Sequence, residues 1–153
     1  PNKGTTFILY FPVTREEITK EKTAIPLEEY MGNGESILVV DDVEGQRKIA
    51  SDLLEKLDYS VTSVASGEQA VDYMKENSAD LIILDMIMDP GIDGCETYKR
   101  ILELHPEQKA IITSGFTESD KVKETQRLGA GKYIKKPYLF EKIGIAVKEE
   151  LEK

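Results

Sequence analysis

From residue 35 onward, short apolar runs alternate with stretches whose apolar residues recur at helical spacing. Residues 37–40 are Ile-Leu-Val-Val, and Ile49, Ala50, Leu53, Leu54 and Leu57 then lie along one helix face. A second run spans 61–64. Behind it, Ser66 and Gln69 stand at capping-box spacing ahead of Ala70, Val71 and Met74. Residues 81–84 are Leu-Ile-Ile-Leu, apolar on both faces as a central parallel strand must be. Asp93 and Glu96 repeat the capping spacing before Tyr98, Ile101 and Leu102, and His105-Pro106 stops that helix. A fourth strand is expected over 110–113, a weakly amphipathic helix over 117–128 and a short fifth strand over 132–134. Leu139, Ile143, Val147 and Leu151 mark a closing helix. Five strand–helix units in succession predict an α/β fold, a doubly wound five-stranded parallel sheet with right-handed crossovers.

The chain before residue 35 follows another pattern. Residues 5–13 are rich in aromatic and β-branched side chains and predict an extra N-terminal strand with no partner nearby in the sequence. Residues 15–34 begin with charge and are interrupted by Pro26, Gly32 and Gly34, which predicts a linker. The expected division is therefore a terminal strand in 1–14, a linker in 15–34 and an α/β domain in 35–153.

Charge narrows the functions available. The net charge is −9, and residues 1–34, with four Lys/Arg and five Glu, carry only −1 of it. An acidic domain lacks the basic face that nucleic acid requires. The lone Cys95 permits no internal disulfide, and one histidine leaves little for a His/Cys metal site. No apolar run is long enough to span a bilayer, and no signal segment opens the chain, so no membrane contact and a cytoplasmic setting are expected.

In an open α/β sheet, ligands gather at the carboxyl ends of the strands. The first expected strand ends in Asp41-Asp42, the third in Asp85 and the fourth in Thr113-Ser114. The fifth runs into Lys135-Lys136-Pro137. Converging carboxylates repel one another, and a hard cation such as Mg²⁺ relieves that repulsion. Mg²⁺ with a lysine makes an environment for a phosphoryl group, and a carboxylate there can act as nucleophile.

These residues resemble the receiver domain of two-component response regulators over residues 35–153. The match rests on Asp41 and Asp42 after ILVV, Asp85 after LIIL, Ser114 before Gly115, Tyr133, and Lys136 before Pro137. The resemblance implies strand order 2-1-3-4-5 and a phosphorelay receiver that takes a phosphoryl group from a phosphohistidine onto Asp85. It implies Mg²⁺ held by Asp42 directly, with Asp41 assisting, together with Asp85 and the backbone carbonyl of Ile87. Ser114 and Lys136 would hold the phosphoryl oxygens, Tyr133 would reorient with Ser114, and the Lys136–Pro137 bond would be cis. The implied partner is a histidine kinase or a histidine phosphotransfer domain. The only catalysis implied for this chain is its own phosphorylation and dephosphorylation. Ile87 and Phe116, both apolar, would flank the path of an attacking water and slow the loss of the phosphoryl group.

Residues 1–14, with Gly4-Thr5-Thr6-Phe7 leading into an apolar run, resemble the terminal strand of the ATP-binding domain of sensor histidine kinases. Together the two resemblances imply the carboxy-terminal part of a hybrid sensor histidine kinase, passing its signal to another protein or back to the kinase. An orphan strand of this kind is expected to pair with a second copy of the chain, giving a homodimer.

Plainer roles stand beside these. Asp41-Asp42 would serve as a helix cap, Ser114-Gly115 as a turn, Lys136 as a solvated charge and Tyr133 as core packing. Cys95 is expected to be a small buried residue and His105 to be exposed. A Mg²⁺-dependent phosphohydrolase with an aspartyl nucleophile is the enzyme alternative, although Ile87 stands where such enzymes commonly place a second Asp. An unphosphorylated interaction module is the other. The loop from Met86 to Gly94 is one residue longer than the usual receiver loop, with Asp89 at its rim.

Overall fold

The computed structural model describes residues 4–10, 25–115 and 120–153. Five parallel strands are laid down in chain order: β1 (Ser36–Val40), β2 (Ser60–Val64), β3 (Leu81–Asp85), β4 (Ala110–Ser114) and β5 (Tyr133–Lys135). They assemble in the order β2-β1-β3-β4-β5, as the family resemblance implied. Between and after them lie α1 (Glu44–Glu55), α2 (Gly67–Glu76), α3 (Gly94–Leu104), α4 (Asp120–Arg127) and α5 (Phe140–Leu151). β5 begins one residue later than expected. The expected start of α4 at 117–119 lies outside the described residues.

The two-residue period of the strands divides the core. Ile37, Val39, Leu81, Ile83 and Ile111 face α1 and α5, where they meet Ala50, Leu54, Ile143 and Val147. Leu38, Val40, Ile82, Leu84 and Ile112 face the other way, onto Ala70, Met74, Tyr98, Ile101 and Val122. Every residue of β3 and β4 is buried, so these strands run through the middle of both layers.

Local capping follows the sequence signals. Ser66 accepts the Gln69 N–H at 3.3 Å, while the Gln69 side chain accepts the Ala65 N–H at 2.9 Å. Asp93 accepts the Glu96 N–H at 2.9 Å and caps α3, and His105 ends that helix. Cys95 is buried, as expected. His105 departs from expectation. It is half-buried, with Nε2 at 2.8 Å from the Met74 carbonyl oxygen, because the end of α3 packs beside the end of α2.

The N-terminal segments depart further. The described residues 4–10 of the expected extra strand belong to no ladder, and Phe7, Ile8, Leu9 and Tyr10 are 71–90% exposed. A strand exists only through a neighbour's hydrogen bonds, and the five-stranded sheet offers this segment none. Residues 11–13 lie outside the described residues. The last part of the expected linker packs on the α/β domain. After the 3₁₀ turn Leu27–Glu29, Tyr30 is buried and meets Phe140 edge-on at 6.4 Å between ring centroids. Gly144 leaves room for it, since a Cβ there would stand 2.5 Å from the Tyr30 ring. Gly32 and Gly34 donate their N–H groups to the carbonyls of Leu57 and Asp58 at 2.7 and 2.9 Å. Among the described residues, no helix is long and apolar enough to cross a membrane.

Removing the Tyr30 ring leaves a cavity between α1 and α5 that the backbone bonds of this strap hold open. Tyr30→Ala should destabilise the protein by about 2–3 kcal/mol in urea denaturation. A loss within about 0.5 kcal/mol would show that the strap does not contribute to the core.

Candidate functional site

The strand register brings the chemistry together. Val40 pairs with Leu84, and Asp85 with Thr113, so the turn after β1 and the end of β3 lie side by side. Asp41 is 1% exposed and Asp85 5%. Lys136 follows β5, and its side chain is only 10% exposed. Its ammonium bridges the two buried carboxylates. It donates to Asp41 Oδ2, and to Asp85 Oδ2 at 2.8 Å. Asp42 is half-buried, and Asp41, Asp42 and Asp85 each offer an oxygen within 4.8 Å of the others.

Backbone groups hold these carboxylates in place. Asp41 Oδ1 accepts the Val43 N–H at 2.9 Å, and Asp85 Oδ1 accepts the Ile87 N–H at 3.4 Å. Asp42 Oδ2 accepts the Asp89 N–H at 3.4 Å. Val43, not an aspartate, is the N-cap residue of α1, and no side chain caps that helix, so Asp41-Asp42 does not act as its cap. The Lys136–Pro137 bond is cis, as the resemblance implied, and so is Asp89–Pro90. Lys136 is no solvated surface charge.

Burial pushes the Asp85 carboxyl above its ordinary range, and the Lys136 hydrogen bond only partly opposes this. Burial alone would lower the Lys136 ammonium, but its bonds to Asp41 and Asp85 outweigh that and raise it. The Tyr138 hydroxyl, raised chiefly by burial, lies beneath the site and donates to Thr113 Oγ1 at 3.3 Å. Three carboxylates thus face one ammonium. The donors are hard oxygens, two of them from buried side chains, and the uncompensated charge is negative. This set fits a hard divalent cation.

Ser114 ends β4 beside this cluster and is 3% exposed. Its carbonyl accepts the Lys136 N–H at 2.9 Å and the Tyr133 hydroxyl at 3.5 Å. Tyr133 is half-buried, so its ring both packs and reaches the end of β4. Ile87, two residues beyond Asp85, is 53% exposed, and Phe116 lies outside the described residues. Sequence reasoning missed two supports. Arg47 donates from Nη1 to the carbonyls of Asp41 and Asp42 at 2.7 and 3.1 Å, tying α1 to the acidic turn. Gly94 lies so close to the Asp85 carbonyl that any Cβ there would collide with it. A basic residue five positions after Asp42, in the first turn of the following helix, was the available signal for the first.

A family model of the response regulator receiver domain matches residues 37–148. The chain belongs to the response regulator receiver family. It is 36% identical over 117 residues to sporulation initiation phosphotransferase F of Bacillus subtilis, covering 76% of this chain and 94% of that protein. It is 29% identical over 161 residues to sensor kinase CckA of Brucella abortus, covering 99% of this chain but 17% of the kinase. A solved receiver domain of a sensor histidine kinase from Pseudomonas aeruginosa, with a magnesium ion coordinated in its active-site cleft, has the same fold. The TM-score is 0.71 at 24% identity, over 78% of this chain and 99% of that one. This receiver therefore works in phosphorelay signalling, and neither the phosphohydrolase nor the unphosphorylated module is favoured.

The raised Asp85 value has a consequence for stability. The folded receiver holds that proton more tightly than the unfolded chain does. Above the raised value the ionised carboxylate costs stability in full. The cost shrinks as pH falls through that value and is gone below the unfolded value of about 4. In Mg²⁺-free buffer, Asp85→Asn should melt at a higher temperature than the parent at about pH 7.5, with the gain closing toward about pH 4. Thermal denaturation across that range checks this, and a variant that melts below the parent at neutral pH contradicts it.

Proposed function

We propose that Asp85 is the phosphoryl acceptor of this receiver, and that Asp42, Asp41, Asp85 and the backbone carbonyl of Ile87 hold Mg²⁺. The observation that carries this reading is the buried ammonium of Lys136 set between Asp41 and Asp85. Bound there, Mg²⁺ would offset carboxylate and phosphoryl charge. An Asp85 oxygen attacks the phosphorus of a phosphohistidine, the new O–P bond forms, and the P–N bond breaks with its electron pair returning to the imidazole. Lys136 passes from Asp85 Oδ2 to a phosphoryl oxygen while its bond to Asp41 keeps it in place. Ser114 holds a second phosphoryl oxygen, and Tyr133, already bonded to the Ser114 carbonyl, follows that movement and alters the surface over β4 and β5.

The donor is a histidine kinase or a histidine phosphotransfer domain. We assign the chain to a hybrid sensor kinase, with 1–14 as the last strand of its ATP-binding domain, 15–34 as the connection and 35–153 as the receiver. The alignment to CckA supports this, because it takes in the N-terminal residues as well as the receiver. In the absence of an upstream sheet, the exposed Phe7 to Tyr10 run would pair with a second copy. A cytoplasmic setting accords with the single Cys95.

Acetyl phosphate with Mg²⁺, followed by intact-mass measurement, tests the assignment. The parent should gain one phosphoryl group and lose it slowly, since Ile87 and Phe116 cannot orient a water. Asp85→Asn should gain none. Full labelling of Asp85→Asn would overturn the assignment.

A further inference from the structure

The loop between β3 and α3, residues 86–93, runs along the acidic rim. Its position is set from two sides. On the rim, the Asp89 N–H meets Asp42 Oδ2 at 3.4 Å. On the far side, the Ile92 N–H donates to Glu68 Oε1 at 2.8 Å, from the first turn of α2. Gly91 lies between these points at φ +124°, and a Cβ on it would come within 2.7 Å of both Glu68 carboxylate oxygens. Backbone and carboxylate are therefore in direct apposition there, in a conformation that favours glycine. The neighbouring Gly67 closes the same contact, since a Cβ there would meet Ile92 Cγ1 at 2.6 Å.

We propose that Glu68 is a positioning residue for Mg²⁺ binding at the Asp41–Asp42–Asp85 cluster. It holds Gly91 and Ile92, and so fixes where residues 87–89 lie over the rim. Glu68 touches none of the three carboxylates and acts only through the loop. An irregular loop has conformational freedom to lose, and a charge-assisted hydrogen bond to its backbone removes part of that freedom before the cation arrives. Hydrogen bonds from backbone N–H groups, its own and that of Ile92, hold the Glu68 carboxyl below its ordinary range, so it stays an ionised acceptor at neutral pH. Loop and anchor form a matched set, with Asp89 as the contact to the rim, Gly91 as the close approach and Glu68 as the acceptor.

The inference rests on the Mg²⁺ reading of the site, and the experiment separates the two. Mg²⁺ is titrated into the parent, Glu68→Ala and Glu68→Gln, following the backbone amide signals of Ile87 and Asp89, with the melting temperature of each protein measured in Mg²⁺-free buffer. Glu68→Ala should weaken Mg²⁺ binding about tenfold, the scale seen when an outer support of a metal ligand is lost. Glu68→Gln should bind close to the parent, because its amide oxygen still accepts the Ile92 N–H. A Glu68→Ala protein with parental Mg²⁺ affinity, whatever its melting temperature, would overturn the inference while leaving the site assignment standing. A Glu68→Gln protein as weak as Glu68→Ala would also overturn it, since the hydrogen bond would not be the agent. A parent that binds no Mg²⁺ would overturn the site reading and the inference together.

Discussion

The ammonium of Lys136 lies between two carboxylates that water barely reaches, and the ends of β1, β3 and β5 meet around that contact. Burying three charged groups is expensive, and a pair of this kind adds little net stability compared with apolar side chains of similar volume. The arrangement is nevertheless held by hydrogen bonds, from the Val43 N–H to Asp41, from the Ile87 N–H to Asp85 and from the Arg47 side chain to the carbonyls of the acidic turn. With Asp42 included, the cluster keeps more negative charge than one lysine can offset. That imbalance suits a hard divalent cation.

The sheet supplies what the cluster requires. Parallel strands place their carboxyl ends on one edge, and β3 and β4 are buried on both faces. Asp85 inherits its position from Leu84 and the ladder to Thr113, and Lys136 inherits its own from a backbone bond to Ser114. The strap around Tyr30 packs at the opposite end of the sheet, against α5 and the turn after α1. It joins the preceding chain to the same core that sets the site.

Much of this was legible in the sequence, because periodicity and strand ends are local signals. The runs at 37–40 and 81–84 place Asp41 and Asp85 at strand termini, and topology alone then brings them together. Ser66 and Asp93 cap the helices their spacing indicated. The misses depend on distant partners. Tyr30 is apolar enough for a core, but its pocket exists only because Gly144 and Leu57, far along the chain, stand beside each other. His105 is held by Met74, a residue of the preceding helix. The run from Phe7 to Tyr10 has the composition of a strand, yet composition cannot supply the neighbouring strand that it needs. Glu68 reads as an ordinary exposed residue of a helix start until the loop it holds is placed next to it.

The excess negative charge of Asp41, Asp42 and Asp85 over Lys136 is the proposed divalent-cation site. The melting temperature as a function of Mg²⁺ concentration tests it most directly, because an ion that binds only the folded protein stabilises it by mass action. In the parent, the melting temperature should climb steadily with the logarithm of Mg²⁺ concentration. In Asp42→Asn, which removes one carboxylate and leaves the Lys136 bridge intact, the curve should be nearly flat. A parent whose melting temperature does not respond to Mg²⁺, or an Asp42→Asn protein that responds as the parent does, would rule out a cation site built on these carboxylates.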